Sequence, residues 1–465
     1  MTDLDLGGLS LDEAEREIYA HIIGRNPEHD FDPKISRVRD ACALLGDPQH
    51  AYRVVHITGT NGKTSTARMV ESLVREHGLR TGLFTSPHLT SVRERIVIDG
   101  DPISQEGFIR LWQDVAPIIH LVDAKSLENG GPRLSFFEVL VVLAYAAFAD
   151  APVDVAVVEV GMGGIWDATN VADGDVAVLA PIAMDHAQWL GDNLRDIASE
   201  KAGIIKDGAA VIVASQAESV EPIIADAVRE HDARAFWEGE DIEVADRQPG
   251  VGGQLVTLRT SAATYSELFV PLYGEYQAHN ALLALAAVEA LLADGGPIVS
   301  LSGETVEAGF AAVRSPGRLE VVRTSPMIIV DAAHNPHGID AMVSAVEESF
   351  TFTTLVGVVG ILTDKDAEGI LGGLEGALDH VVITASNSPR AIPAEELGRI
   401  AVSVFGEERV SVVDRLPDAI DAAAALAERD SDVGGGVLVV GSITLISEAR
   451  ILVGADKRKG LGQAR

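Results

Sequence analysis

Residues 57 to 65 read ITGTNGKTS, and here residue type and spacing state a chemistry. Small residues let backbone N–H groups approach phosphate oxygens, and a helix starting directly after the turn adds the positive end of its dipole. Lys63 is then placed to touch β- and γ-phosphates, with the Thr64 hydroxyl facing Mg²⁺. The strict spacing G-x-x-x-x-G-K-[ST] asks for glycine where this chain has Ile57, so the first turn falls to Gly59. The competing explanation is a plain Gly-Asn turn with a solvated lysine.

Other side chains gather around the same chemistry. Glu159 ends the apolar run VDVAVVEVG before a flexible GMGG turn, and a carboxylate at a strand tip beside a phosphate loop is where a Mg²⁺ ligand belongs. A solvated strand-end acid is the alternative. His186, in MDHAQWLG, and Ser86, in SPHL, lie in loops after two further strands, although a lone histidine or serine is more often an ordinary surface or core residue. Lys201, in SEKAGII, has the spacing of a solvated helix lysine. Asp331 and His334, in DAAHNPH, sit in a strand-to-helix loop within reach of a nucleotide, and Arg318, in SPGRLE, within reach of its phosphates.

The elements that must position these groups follow from periodicity. Helical spacing predicts amphipathic helices over 10–24, with Ser10 as N-cap, and over 33–45, joined by the loop HDFDPKISRVRD. The strand at 52–58 and the helix at 64–77 flank the phosphate loop, Gly78 is the expected C-cap, and a short strand covers 82–85. After a helix at 136–148 come apolar runs at 153–161, 176–182 and 209–215, continuous rather than alternating, as in strands buried on both faces of a parallel sheet. This rhythm predicts an α/β doubly wound domain of the P-loop type. Residues 237–273 alternate in β fashion and predict a small β-rich flap; a helix at 277–293 and the Gly- and Pro-bearing stretch 293–304 follow as a linker. Strands at 327–333, 353–361, 380–386, 409–414 and 436–443 predict a second, smaller, parallel Rossmann-like domain, dividing the chain at 1–296 and 297–465. Ligands bind outside the carboxyl ends of such strands, which points to the loops after Val330, Gly360 and Ser386.

Composition bounds the rest. A chain of 465 residues, 47% of them apolar, is too long for one core. With 36 Lys and Arg against 70 Asp and Glu, the net charge is −34, which argues against nucleic acid or an anionic membrane as partner. An anionic ligand must be met by local cations such as Lys63, Arg318 and Arg390. The single cysteine, Cys42, excludes an internal disulfide, and the acidic opening residues lack the pattern of a secretion signal. No stretch has the length of a membrane span, so the expected home is the reducing cytoplasm.

With these residues laid out, the chain resembles the folylpolyglutamate synthase and dihydrofolate synthase family, a branch of the Mur ligase superfamily. The motifs GTNGKT, TSPHL, SFFE, EVGMGG followed by DATN, DH then EKAGI, the helix around Asn280, PGR and DAAHNPH occur in the family's order over nearly the whole chain. The superfamily's phosphate loop is similar to the shortened form here, which accounts for Ile57.

The resemblance implies an ATP-dependent ligase that joins L-glutamate to dihydropteroate, to reduced folates, or to both, through an acyl phosphate. It gives Gly59, Thr60, Asn61, Gly62, Lys63 and Thr64 to the ATP phosphates, and Asn280, Arg318, Asp331 and His334 to the nucleotide. Ser86 and Glu159 become ligands of one Mg²⁺ and His186 of a second, while Lys201 matches a lysine that is carbamylated in relatives. Ser135, Phe136, Phe137 and Glu138, then Trp166, Asp167 and Ala168, and also Asp32, Pro33 and Lys34, match pterin-binding segments. Relatives commonly carry Arg-Leu or Arg-Phe before DATN, where this chain has Ile165 and Trp166. A monomer is implied, with small molecules as its only partners. The alternatives are a folylpolyglutamate synthase without the dihydrofolate activity, another Mur-type ligase, or a nucleotide-switch ATPase. A cell-wall ligase would need a UDP-sugar domain ahead of the phosphate loop, for which the 56 preceding residues are expected to be too few.

Overall fold

A computed structural model describes residues 10–23, 35–185, 187–429 and 434–455. His186, Asp32, Pro33 and Lys34 lie outside the described residues. The chain forms two compact units: one of residues 1–245, 258–268 and 279–313, the other of 246–257, 269–278 and 314–465.

The first unit is built on an eight-stranded sheet of β1 (Arg53–Thr58), β2 (Thr81–Phe84), β3 (Ile96–Ile98), β4 (Asp101–Pro102), β5 (Val155–Glu159), β6 (Val176–Leu179), β7 (Ala210–Val213) and β8 (Arg234–Trp237). Their order is β4-β3-β2-β5-β1-β6-β7-β8. Strands β2 to β8 of the central run pair in parallel, while β3 and β4 add an antiparallel edge. All five residues of β5 are buried. Ala156 and Val158 face a core shared with the helix Phe136–Asp150, and a second core forms around Ala177, Leu179, Val211 and Val213 with the helix Leu194–Ala202. Apolar side chains on both faces explain why these strands read as continuous runs.

A three-stranded sheet, order β11-β10-β9, follows from β9 (Glu243–Gly250), β10 (Gly253–Arg259) and β11 (Thr264–Val270), and its residues are divided between the two units. The second unit carries β12 (Glu320–Thr324), β13 (Met327–Val330), β14 (Thr354–Val359), β15 (His380–Ile383), β16 (Val410–Val412) and β17 (Gly435–Val440) in the order β12-β13-β17-β14-β15-β16. It departs from the all-parallel expectation at β12, a strand the apolar pattern missed, which runs antiparallel to β13 at the sheet edge.

The chain does not divide at 296/297. The helix Gly303–Ala311 belongs to the first unit, where Ser72 Oγ donates 2.7 Å to the Gly309 carbonyl, so the division near there falls after Val313. A hydroxyl-to-carbonyl bond at a glycine requires close backbone approach, and a Cβ at Gly309 would lie 2.8 Å from Leu73 Cδ2.

Candidate active site

Ile57 is fully buried inside β1, so the turn opens two residues later than the strict pattern requires. Gly59 has φ of +148°, and a Cβ there would stand 2.7 Å from that of Ala180. Gly62 has φ of +86°, and its Cβ would stand 2.5 Å from Asn280 Oδ1. Both positions therefore need glycine. Thr60 ties the loop to the segment after β6 by donating its Oγ1 to the Ala183 carbonyl at 2.9 Å and its N–H to the Pro181 carbonyl at 2.9 Å. The helix Lys63–Glu76 then begins without a side-chain cap and without an acidic residue in its first turn. Its positive end is left for an anion.

Sheet register places the acid. Glu159 pairs across from Ile57, one strand over, and is 2% exposed. Thr64 donates its hydroxyl to Glu159 Oε1 at 2.8 Å, and the Ser86 N–H donates to Oε2 at 3.1 Å. Thr64, Ser86 and Glu159 thus come together from a helix start and two strand ends.

Lys63 folds back on its own loop, donating to the carbonyls of Gly59 at 3.0 Å and Thr60 at 3.1 Å. Lys201 is not the solvated lysine its spacing suggested. It is 3% exposed and donates to the same Gly59 carbonyl at 2.8 Å. Burial, and then the nearby Lys63 ammonium, push its amine down to about 7. The cause of the burial is backbone approach: a Cβ at Gly164 would lie 2.4 Å from the Glu200 carbonyl oxygen, and one at Gly203 would lie 2.1 Å from Ile165 Cγ1. Glu200, absent from the sequence reading, holds this junction by accepting from the Trp166 N–H at 3.1 Å.

The segments around Ser135 and Asp167 are held by local contacts. Ser135 caps the helix Phe136–Asp150 in a reciprocal capping box with Glu138. Phe136 stacks with Tyr19 at 5.1 Å between centroids and lies under the Arg95 guanidinium at 5.2 Å. Phe137 reaches the turn after β5, where a Cβ at Gly161 would be 2.4 Å from its Cζ. Asp167 is fully engaged in its own loop, accepting from the N–H groups of Met162 and Thr169, each at 2.9 Å, and from the Thr169 hydroxyl. Burial raises its carboxyl above the usual range. Ala168 begins a 3₁₀ turn, Ala168–Val171, that Asp167 caps. Trp166, half-buried, precedes it.

In the second unit, Asp331 knits two motifs. Its carboxylate accepts from the Leu319 N–H at 2.8 Å and the Ala333 N–H at 2.8 Å, fastening PGR to DAAHNPH. Burial raises its carboxyl, and the Arg318 charge draws it back. His334 Nδ1 lies 2.7 Å from the Ala332 carbonyl, so that nitrogen carries the hydrogen. Asn335 caps the helix Pro336–Ser349 through the Gly338 N–H at 2.8 Å.

Among the described residues no three His, Cys, Asp or Glu are grouped so as to hold a metal. A cavity of about 400 Å³ lies at the opposite, amino-terminal edge of the first sheet, lined by Arg53, Lys206 and Arg234 among others, and none of the site residues borders it.

Comparison with known proteins gives the same picture. Residues 129–288 match the Mur ligase middle domain, and residues 317–443 match the Mur ligase, glutamate ligase domain. A dihydrofolate synthase/folylpolyglutamate synthase of Mycobacterium tuberculosis is 47% identical over 451 residues, covering 93% of this chain and 92% of that protein. The solved structure of a Mycobacterium tuberculosis folylpolyglutamate synthase complexed with ADP is 44% identical with a TM-score of 0.90, covering 96% of this chain and 98% of the other. A folylpolyglutamate synthase solved with AMPPCP and folate is 28% identical with a TM-score of 0.82, covering 96% and 100%.

Proposed function

We propose, from the premise that this chain belongs to the dihydrofolate synthase and folylpolyglutamate synthase family of the Mur ligases, that it joins L-glutamate to dihydropteroate and to the γ-carboxyl of reduced folates. It is an ATP-dependent amide-forming ligase. One observation supports the assignment of Lys63 and Lys201 above the others: two lysine amines meet at the single carbonyl oxygen of Gly59, a like-charge contact relieved when Lys63 meets a phosphate and Lys201 gives up its charge.

A carboxylate must be converted into an electrophile before an amine will attack it. In this reading its oxygen attacks the γ-phosphorus of ATP and ADP leaves. The glutamate amine then attacks the acyl carbon, phosphate departs and the amine sheds its proton. Bringing a carboxylate to about 4 Å from a phosphate anion costs roughly 4 kcal/mol per charge pair at an effective dielectric near 20. Lys63 and the open helix start offset that repulsion, with Gly59, Thr60, Asn61, Gly62 and Thr64 wrapping the phosphates. Asn280, Arg318, Asp331 and His334 are assigned to the nucleotide.

Thr64, Ser86 and Glu159 offer hard oxygen donors of the kind Mg²⁺ takes beside phosphates, where one carboxylate rather than an all-protein cage is usual. When bound, the ion neutralises charge on the transferring phosphoryl group. His186 is assigned to a second Mg²⁺. An amine near pKa 7 is partly neutral at neutral pH, so Lys201 can add CO₂ to give a carbamate and release one proton. That anion is assigned to the second ion. Residues 135–138, 166–168 and 32–34 are assigned to the pterin of the acceptor, the first unit to ATP and acceptor, and the second to glutamate and, through Arg318, Asp331 and His334, to the nucleotide. The enzyme is read as a monomer of the cytoplasm, where ATP and L-glutamate are supplied.

The test is phosphate release from ATP with Mg²⁺ and L-glutamate, comparing dihydropteroate, tetrahydrofolate and no acceptor. Stimulation by both acceptors is the expected result. Stimulation by tetrahydrofolate alone reduces the protein to the polyglutamate activity, and stimulation by neither refutes the folate reading.

A further inference from the structure

Arg37 stands on the second position of the helix Ser36–Leu44 and is 6% exposed. An arginine so buried is costly unless its charge is paired. Its Nη2 donates to Glu138 Oε1 at 3.1 Å across 101 residues of sequence. The other oxygen of the same carboxylate accepts from the Ser135 N–H at 2.5 Å, while Ser135 Oγ accepts from the Glu138 N–H at 3.3 Å. Glu138 is itself buried, so its carboxylate is held from both sides inside the protein. The Glu138 carboxylate therefore links the helix Ser36–Leu44 to the first turn of the helix Phe136–Asp150.

That first turn carries two aromatic rings. Phe136 and Phe137 sit between the cap residue and Glu138, in the first turn whose position the capping box sets. From there Phe136 meets Tyr19 and Arg95, and Phe137 lies 5.8 Å from Phe84 and against Gly161, two residues beyond Glu159. A shift of this helix start therefore moves both rings.

We propose that Arg37 is a positioning residue for the acceptor substrate: through Glu138 its guanidinium fixes the first turn of the helix Phe136–Asp150 and thereby the two rings against which the acceptor is held. This rests on the assignment of residues 135–138 to the acceptor. It predicts a selective defect, since the helix start that Arg37 holds through Glu138 carries the two acceptor rings, and small misplacements of a positioning surface weaken productive binding steeply.

The experiment measures steady-state kinetics of Arg37→Met, Arg37→Lys and Phe136→Ala with dihydropteroate and with ATP as the varied substrate. For Arg37→Met the expected result is a rise in acceptor KM of about tenfold or more, with the ATP KM within about twofold of the starting enzyme. Arg37→Lys, which keeps the charge and loses the planar fork, is expected to fall between. An unchanged acceptor KM in folded Arg37→Met, or an ATP KM that rises in step, overturns the proposal. Should Arg37→Met fail to fold, the same two ratios are read on Arg37→Lys, and an unselective defect there overturns it equally. Phe136→Ala separates the two layers: an unchanged acceptor KM in that variant refutes the acceptor assignment itself. A raised value beside an unaffected Arg37→Met refutes only the positioning role.

Discussion

Replacing Lys201 by methionine should make the apo protein more stable while ending its activity. Burial and the Lys63 ammonium take the Lys201 amine from 10.5 to about 7. At about 1.36 kcal/mol per pKa unit, the folded protein bears a penalty on the order of 5 kcal/mol against the charged form. Below pH 7 the amine is charged in folded and unfolded chains alike, and that penalty is present in full. Between pH 7 and 10.5 the folded state has released the proton and the unfolded chain still binds it, so wild-type stability rises with pH across this window. Methionine removes the charge and keeps the packing, at the loss of the bond to the Gly59 carbonyl, worth about 1 kcal/mol. The variant should therefore exceed the wild type by roughly 4 kcal/mol at pH 6, narrowing to roughly 1 kcal/mol at pH 9. All four tryptophans, Trp112, Trp166, Trp189 and Trp237, belong to the first unit, so their fluorescence in a denaturant titration reports on the unit that holds Lys201. Buffers with EDTA and without CO₂ keep metal and carbamate out of the comparison. A variant less stable than the wild type at pH 6, or a gap that does not narrow with pH, refutes the reasoning.

Two further substitutions address the phosphate loop. Lys63→Ala should lower kcat for ATP turnover by about a thousandfold or more through lost phosphoryl stabilisation. Its melting temperature should stay close to wild type, because each bond from the lysine to a carbonyl of its loop contributes about 1 kcal/mol and loss of the lysine also removes a like charge beside Lys201; near-normal turnover would sink the assignment. Gly62→Ala combines a φ of +86° with a Cβ 2.5 Å from Asn280 Oδ1. It should cost about 1–3 kcal/mol and raise the ATP KM about tenfold, both read on the purified variant, and an unchanged ATP KM would contradict the cradle geometry.

What the sequence made legible was whatever depends on local spacing. The strand, glycine turn and helix start around Gly59 and Lys63 lie within a dozen residues, and the place of Glu159 at the end of a buried strand follows from the apolar run before it. The capping box of Ser135 and Glu138 was open to the same kind of reading, since S-x-x-E ahead of an apolar run is a helix-start signal. The 24-residue helix Gln105–Glu128 is also legible, since Phe108, Leu111, Trp112, Val115 and Ile119 keep helical spacing, although Pro117 on its exposed side interrupts the pattern. Partnerships across the fold were not legible. Nothing in SEKAGII says that Lys201 is buried; that depends on glycines at 164 and 203 letting two backbones close on each other. Nor does a helix thirty-odd residues into the chain announce that its arginine will meet a carboxylate 101 positions later. The two misses share a cause. In each, an ionisable side chain with an ordinary solvated helix setting by spacing is carried inside by tertiary packing, and its chemistry is then set by the few groups it meets there: for Lys201 a carbonyl oxygen shared with another lysine, for Arg37 one oxygen of a carboxylate already committed to a helix cap. Charge brought inside in this way is costly unless it is paired or put to use. That makes the pair Arg37–Glu138 and the pair Lys63–Lys201 opposite cases: the first is balanced within the chain and sets geometry, while the second sets two amines on one carbonyl oxygen, a like-charge contact that helps to lower the Lys201 amine to about 7.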